Sequence, residues 1–586
     1  MVQPAGGGVI DAVPSPGRSG RLWNILSDWV GPASSLAFTV LYFLAEWRNK
    51  AQAVDLPWPG RQVIPSILDI RGILTVDPVS IEARSSPYSV TAHFLDWAMP
   101  ADWDQFLAAY ETWSLALTIA VTWLSAMVLT RFTVWSASRR NLWPSSGMKV
   151  ATVFLYLFYT VVPLLFKIDT GPTIVTQTIK FLTAPPTAGW SFPLSDSLNP
   201  AGLAFLLTLI LLAVILSTTS KRRSWWSIVI YAIMFSVLTL IHPVVTLFGV
   251  GLLSVAFLVL PSGKRRSDPL LPVLLASFAG ALLGAVATLL IFAQAPIDSS
   301  RFFEIYVVER HPHHYLPSSY LPPNAVGLMV SVAVLVVPIL LSWKFKALVV
   351  PRQLALVAIA GLVVVHLTQY VAVELAHVTL FITLGITRLS SLFNFLYLAT
   401  VGLVLVQVVA RPIVRLLPRL GGRFRIIWRG VAVGVSVSTA AVLTFGGVWL
   451  QERNDAVLES IPRSEEAVVR DAFRDQFGGD AFMVLAQPAQ DLRYREISGF
   501  GVYSDAYFPF TTAGIIPWDE RKANAVKIFA CMGVAESDPA CVALASTVPT
   551  MYVITDDAPR SRVPSLCVPL STRTLCVYKF GDLPVL

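Results

Sequence analysis

The sequence predicts a mainly α-helical integral membrane protein, with about eleven transmembrane helices followed by a small C-terminal α/β domain on the extracytoplasmic face. Three observations predict it. Only 14% of the residues are charged and 55% are hydrophobic, whereas soluble domains carry about 25% charge. Apolar runs of about 20 residues, the length that crosses a bilayer, recur along the chain. All four cysteines, Cys531, Cys541, Cys567 and Cys576, stand beyond the last of those runs.

The chain divides into a cytoplasmic N-terminal tail (1–27), a polytopic membrane domain (28–450) with a long outer loop (47–112), and an extracytoplasmic α/β domain (451–586). Residues 1–29 are rich in Gly, Pro and Ser and lack an apolar stretch with a small-residue cleavage site. No cleavable signal peptide is therefore expected, and the first span acts as its own insertion signal. Spans are predicted near 28–46, 113–135, 150–166, 201–219, 225–241, 244–260, 270–293, 325–342, 353–372, 389–410 and 430–449. An odd count puts the two termini on opposite sides of the bilayer.

Short-loop Lys and Arg set the orientation. Arg139-Arg140, Lys221-Arg222-Arg223, Lys264-Arg265-Arg266, Lys344, Lys346, Arg352 and the arginines between Arg411 and Arg429 all fall on one face, which is then cytoplasmic. The formal charge of +8 sits in these clusters and not along one polar face, so it excludes a nucleic-acid partner.

The outer loop 47–112 is too long for a simple connector. Its near-helical apolar spacing from Ile67 onward predicts helices lying on the membrane interface, with Trp47, Trp58, Trp97 and Trp103 at headgroup level. Segment 167–200 reads as a second interfacial element. From Gln451 the composition changes to that of a globular domain. Ser464-Glu465-Glu466 opens a helix that runs to Phe477 and stops at Gly478-Gly479. A strand is expected over 481–486, a helix over 518–529, and strands over 551–555 and 575–579. Cysteine spacings of ten and nine residues suit two local disulfides in an oxidising compartment, with four independent thiols as the alternative. They do not match a zinc site.

The most unusual stretch is Glu309-Arg310-His311-Pro312-His313-His314-Tyr315, which holds three of the seven histidines between two apolar runs. His242 stands in a turn between spans, and Arg388 just before the tenth span. Reactive polar groups collected at one membrane face suit a substrate whose lipid tail stays in the bilayer while its head reaches water. Transfer from a lipid phosphate needs a carboxylate to take the acceptor's proton. It also needs cations and hydrogen-bond donors for the departing phosphate. The first loop supplies the acid, with Asp77 first, Asp69 next and Glu46 third. Glu309, Arg310, His311, His313, His314 and Tyr315 form the phosphate-binding set, joined by Arg388 and His242.

Blander readings stand beside these. Asp77 precedes Pro78 and would cap an interfacial helix; the histidines would be a solvated loop; Arg388 would snorkel; His242-Pro243 would be a plain turn. The histidines lack helical i, i+4 spacing and Pro312 interrupts a regular helix, so no metal ligands are assigned. No cofactor is called for with certainty, and a divalent metal stays an option. Asp102-Trp103-Asp104 looks like a metal-nucleotide pattern but faces the side without nucleotides.

This layout resembles the GT-C superfamily of integral-membrane glycosyltransferases, which combine a multi-span core, a long first outer loop with an acidic residue and often an outer C-terminal domain. Arg310-His-Pro-His-His-Tyr followed by Leu-Pro-Ser is similar to a motif of bacterial membrane proteins of this build. Those proteins also carry an Asp in the first outer loop and a segment like Gly479-Asp480-Ala-Phe-Met-Val-Leu. The resemblance implies a bacterial inner-membrane hexosyl- or pentosyltransferase acting in the cell envelope. Its donor would be a polyprenyl-phosphate sugar, its acceptor an extracytoplasmic glycan or lipid, and its base the first-loop carboxylate, here Asp77. The rival readings are a transporter or flippase of a lipid-linked intermediate, and a non-catalytic membrane assembly protein.

Overall fold

The computed structural model describes residues 18–49, 67–68, 70–71, 87–139, 145–165, 198–218, 224–261, 265, 267–291, 299–310, 312–319, 322–478, 482–486, 491–498, 500–504, 515–556, 562–571 and 573–582. A helix lies at every apolar run predicted from the sequence. In chain order the helices of the bundle are α1 (Arg18–Asn49), α2 (Pro87–Ala98), α3 (Trp103–Ser138), α4 (Ser145–Leu165), α5 (Pro200–Thr218), α6 (Trp225–Ile241), α7 (Pro243–Val259) and α8 (Leu270–Ile291). Next come the short α9 (Ser299–Phe303), then α10 (Pro322–Leu341), α11 (Val349–Thr368), α12 (Thr379–Leu384), α13 (Ser390–Leu405) and α14 (Arg411–Ser460).

Among the described residues, six helical stretches are long and apolar enough to cross a membrane: Trp103–Ser138, Pro200–Thr218, Leu270–Leu290, Lys346–Leu375, Ile386–Val408 and Gly430–Arg463. Four further apolar helices are shorter. The protein is thus a helical membrane protein. Its bundle turns bulky apolar side chains outward, among them Leu282, Leu283, Leu289 and Leu290 on α8 and Val363 and Val364 on α11. A soluble surface rarely carries so broad an apolar face, which suits contact with lipid.

Inside the bundle α3 is the central element. Asp102 caps its start, accepting from the Gln105 amide at 2.9 Å. Phe132 on α3 meets Phe395 on α13 edge-on, and Phe248 on α7 links Phe395 to Phe205 on α5. Close helix contact elsewhere depends on small residues. A Cβ on Gly280 or Gly284 of α8 would strike the carbonyls of Ala232 and Ser236 on α6, the small-residue packing that lets membrane helices approach. In the first outer loop the described residues include α2, with Phe94 and Trp97 projecting from it, as an interface-lying helix requires, and Ile67 and Leu68, which are buried. Nearly all of 167–200 lies outside the described residues.

The C-terminal domain is a sheet between two helical layers. Helices α15 (Glu465–Phe477), α16 (Asp491–Ser498), α17 (Ile515–Met532) and α18 (Pro539–Ala545) flank strands β1 (Met483–Leu485), β2 (Gly501–Val502), β3 (Met551–Thr555), β4 (Leu566–Pro569) and β5 (Thr574–Phe580). The strand order is β2-β1-β3-β5-β4, parallel through β2-β1-β3 and antiparallel beyond. Side-chain alternation divides the two faces. Met551 and Val553 pack toward Ile528, Cys531 and Cys541, whereas Ile554, Val577 and Val484 pack with Val469, Phe473 and Tyr494.

The expected cap is present, with Ser464 accepting from the Ala467 amide, and Gly478 ends α15 at a φ of 64°. Strand β3 spans the predicted residues, while β1 is shorter than expected. Elements α16, α18, β2 and β4 have no counterpart in the sequence reading. Both local disulfides form. Cys531–Cys541 ties α17 to α18, and Cys567–Cys576 joins directly opposed residues of β4 and β5. Such bonds persist in an oxidising compartment, which is what an extracytoplasmic domain would meet.

Three ion pairs seat the domain and the C-terminal turns of α14 against the bundle: Asp104–Arg470, Glu111–Arg453 and Arg301–Asp519. Asp102 and Asp104 thus serve as a helix cap and a docking contact.

Candidate functional site at the domain-bearing end of the bundle

The histidine-rich segment is held at the end of the bundle that bears the C-terminal domain. After α9 the chain widens into a π-type turn (Glu304–Arg310), then forms one helical turn (Pro312–Tyr315) and a 3₁₀ turn (Pro317–Ser319). Pro312 and Pro317 each stand first in their turn, where a missing amide hydrogen costs nothing. Phe302, Ile305, Val307, Tyr315 and Leu316 then bury against Val373 and Ile382 of the bundle and Trp518 of the C-terminal domain. Burial of this cluster anchors the loop to both parts of the molecule.

Polar contacts fix its geometry. Gln369, fully buried, donates from Nε2 to the Tyr315 carbonyl at 2.8 Å. Glu374 accepts the Ser318 amide at 3.2 Å, and the Tyr306 and Tyr315 hydroxyls lie 3.1 Å apart. His377, at a φ of 50°, stacks on Phe303 with ring centroids 3.7 Å apart. Burial, with Tyr306 beside it, holds the Tyr315 phenol well above its ordinary pKa although Arg388 pulls it down. It is therefore a neutral O–H donor.

Arg388 is the cationic centre of the site. It is half-buried in the 3₁₀ turn Ile386–Leu389, directly after Gly385, and interacts electrostatically with both Tyr315 and His242. Gly385 has a φ of 57°, and a Cβ there would meet Arg388 Nε at 3.2 Å and the Tyr315 hydroxyl at 3.4 Å. A left-handed backbone and a crowded wall both demand glycine. Gly385→Ala is expected to cost about 1–2 kcal/mol and to displace Arg388; a thermal unfolding scan alongside any activity assay reads both effects.

His242 occupies the turn between α6 and α7, where Pro243 starts the second helix. Its ring is buried, and Nδ1 has no hydrogen-bond partner among the described residues. Burial first, and the Arg388 charge second, push its pKa down to about 3. The unfolded chain binds a proton near pH 6.5 that the folded chain refuses. This group therefore opposes folding progressively as pH falls from 6.5 toward 3, and contributes nothing to the slope above that window. Histidine-labelled NMR should show a ring that stays neutral down to pH 4 and whose signal vanishes in His242→Gln. Gln369 Oε1 is a second buried polar atom without a partner among the described residues. The amide oxygen only accepts and the neutral imidazole donates or accepts, so these atoms leave hydrogen-bonding capacity for water or a hydroxyl group.

The residues expected from the sequence are placed unevenly. The structure brings Tyr315, Arg388 and His242 together. Glu309 is exposed on the π-type turn and acts electrostatically on Arg301. Arg310, His313 and His314 lie on the described backbone of the same turns, but their side chains, and all of His311, fall outside the described residues. Asp77 and Asp69 also fall outside them, as does the side chain of Glu46 near the end of α1. Among the described residues no three His, Cys, Asp or Glu side chains gather to hold a metal. Tyr306, Gln369 and Gly385 were absent from the sequence reading. A glutamine at the edge of an apolar run was the available signal for Gln369. Comparisons with protein-family models and with curated proteins give no match.

Proposed function

We propose that the protein is a GT-C-like membrane glycosyltransferase, moving a hexosyl or pentosyl group from a polyprenyl-phosphate donor to an extracytoplasmic glycan or lipid. In this reading about eleven spans cross a bacterial inner membrane, the N-terminus is cytoplasmic, and the disulfide-bonded domain faces the periplasm or exterior. One observation carries it. Arg388, Tyr315 and His242, distant in sequence, converge beside the histidine-rich segment at the end of the bundle that bears that domain.

The chemistry follows from charge. The acceptor oxygen bonds to the sugar's anomeric carbon while the bond from that carbon to the phosphate oxygen breaks. The acceptor's proton goes to a carboxylate, for which Asp77 is first choice and Asp69 and Glu46 follow. The departing polyprenyl phosphate gains negative charge, which Arg388 and Arg310 balance and which Tyr315, His311, His313 and His314 hydrogen-bond. Neutral His242 and Gln369 complete the polar wall without adding charge.

A transport path would favour ionisable groups at mid-span. The buried Glu111 lies instead in the early turns of α3, paired with Arg453, which favours the transferase. The test is Asp77→Asn in cells that depend on this chain. The expected outcome is complete loss of the glycan product, with a lipid-linked precursor accumulating and normal amounts of inserted protein. An unchanged glycan profile would count against the proposal.

A further inference from the structure

At the opposite end of the bundle a cleft of about 300 Å³ opens between α3, α4 and α5. Its walls include Thr130, Arg131, Trp135, Arg139, Tyr156 and Ser217. Arg131 donates from Nη1 to the Ala213 carbonyl at 2.8 Å and to the Ser217 hydroxyl, both neutral, and no carboxylate pairs with it among the described residues. Arg139 lies over the Trp135 ring at 5.5 Å and pairs with Asp268 at 3.2 Å. Two guanidiniums thus face one carboxylate, and the cleft is net positive. Thr130 is fully buried against it, and its hydroxyl has no hydrogen-bond partner among the described residues.

We infer that this cleft binds a phosphate-bearing anion on the Arg131 guanidinium, with the Thr130 and Ser217 hydroxyls beside it. A cation is excluded by the two guanidiniums. Arginine's planar fork suits phosphate oxygens, and charge-assisted bonds of this kind are about twice as strong as neutral ones. The site stands where α3 and α5 reach their last turns, beside lipid-facing surface, and basic pockets between membrane helices take anionic lipid headgroups. The same chemistry would accept free phosphate. The site shares no residue with the transferase site and stands whether or not that reading holds.

The full chain, purified in detergent, is offered an equimolar mixture of phosphatidylglycerol and phosphatidylcholine, and retained lipid is counted by native mass spectrometry. Preferential retention of phosphatidylglycerol is expected. Arg131→Met should lower that retention about tenfold, the loss of one charge-assisted contact, and Arg131→Lys should keep most of it. Ser217→Phe fills the cleft from an exposed position, so it tests the same site without touching the core. Inorganic phosphate is the second probe. If it binds with the same dependence on Arg131 while the lipid does not, the anion is free phosphate; if the lipid binds, it is a headgroup. Equal retention of the two lipids with no phosphate binding, or unchanged binding in both Arg131→Met and Ser217→Phe, overturns the inference.

Discussion

Under the proposed transferase function, Arg388→Gln is expected to lower sugar transfer about 10²–10³-fold, the usual effect of removing one preorganised group from a developing anion. The membrane bundle and C-terminal domain should stay folded. Arg388 is held from three sides. Gly385 gives it room, Tyr315 stands beside it, and His242 faces it as an uncharged ring because burial suppresses its protonation. The guanidinium therefore supplies the positive charge at this wall without competition from a neighbouring imidazolium. Glutamine keeps hydrogen-bonding capacity but removes that charge, so the loss should fall on kcat more than on KM. Arg388→Lys restores the charge without the planar fork and should recover only part of the rate. Wild-type product formation by Arg388→Gln in proteoliposomes would remove this residue, and the wall built on it, from the mechanism.

The largest effect on stability is expected at Glu111. Its carboxylate is 1% exposed and accepts from Arg453, itself 15% exposed, at 3.1 Å. Burying a lone ion is far costlier than burying a matched pair, so deleting either partner removes the opposite charge that the other is buried against. Glu111→Ala should destabilise the protein by about 3–5 kcal/mol, and Arg453→Met by a similar amount. Glu111→Leu combined with Arg453→Met should return most of the loss, because two apolar side chains of similar volume need no solvation. Thermal unfolding of Glu111→Leu, Arg453→Met and the double variant in one detergent measures the coupling. A single variant within about 0.5 kcal/mol of wild type, the range of an ordinary surface substitution, would show that water reaches the pair.

Local signals in the chain carried the elements well. Ser464 with two following acids marks a helix start whose hydroxyl does accept the Ala467 amide, and the apolar runs mark helices. The disulfides were legible because each joins residues close in sequence, across one turn between helices or one hairpin. Short elements with mixed composition were not. Strand β4 ends in Pro569 and β2 is two residues long, so neither develops the alternation that identifies a strand. The histidine-rich segment was visible as a concentration of chemistry. Arg388 stood out as a charge at a span boundary, but Gln369 did not, because it reaches the segment only through tertiary packing that no local pattern encodes. The carboxylates of the first loop rest on sequence alone, since Asp77 and Asp69 lie outside the described residues.

The long helix α14 has a mechanical consequence. Fifty continuous residues rise about 75 Å, more than twice the ~30 Å hydrocarbon thickness of a bilayer. Only its last eleven residues, about 16 Å, pass beyond the span predicted at 430–449 toward the α/β domain, so this end is a short rigid mast that carries the domain through the turn Ile461–Arg463. A passenger mounted this way keeps a set height above the lipid surface. Whatever it grips would be presented at one distance from the histidine-rich segment rather than sweeping the volume that a loose tether allows.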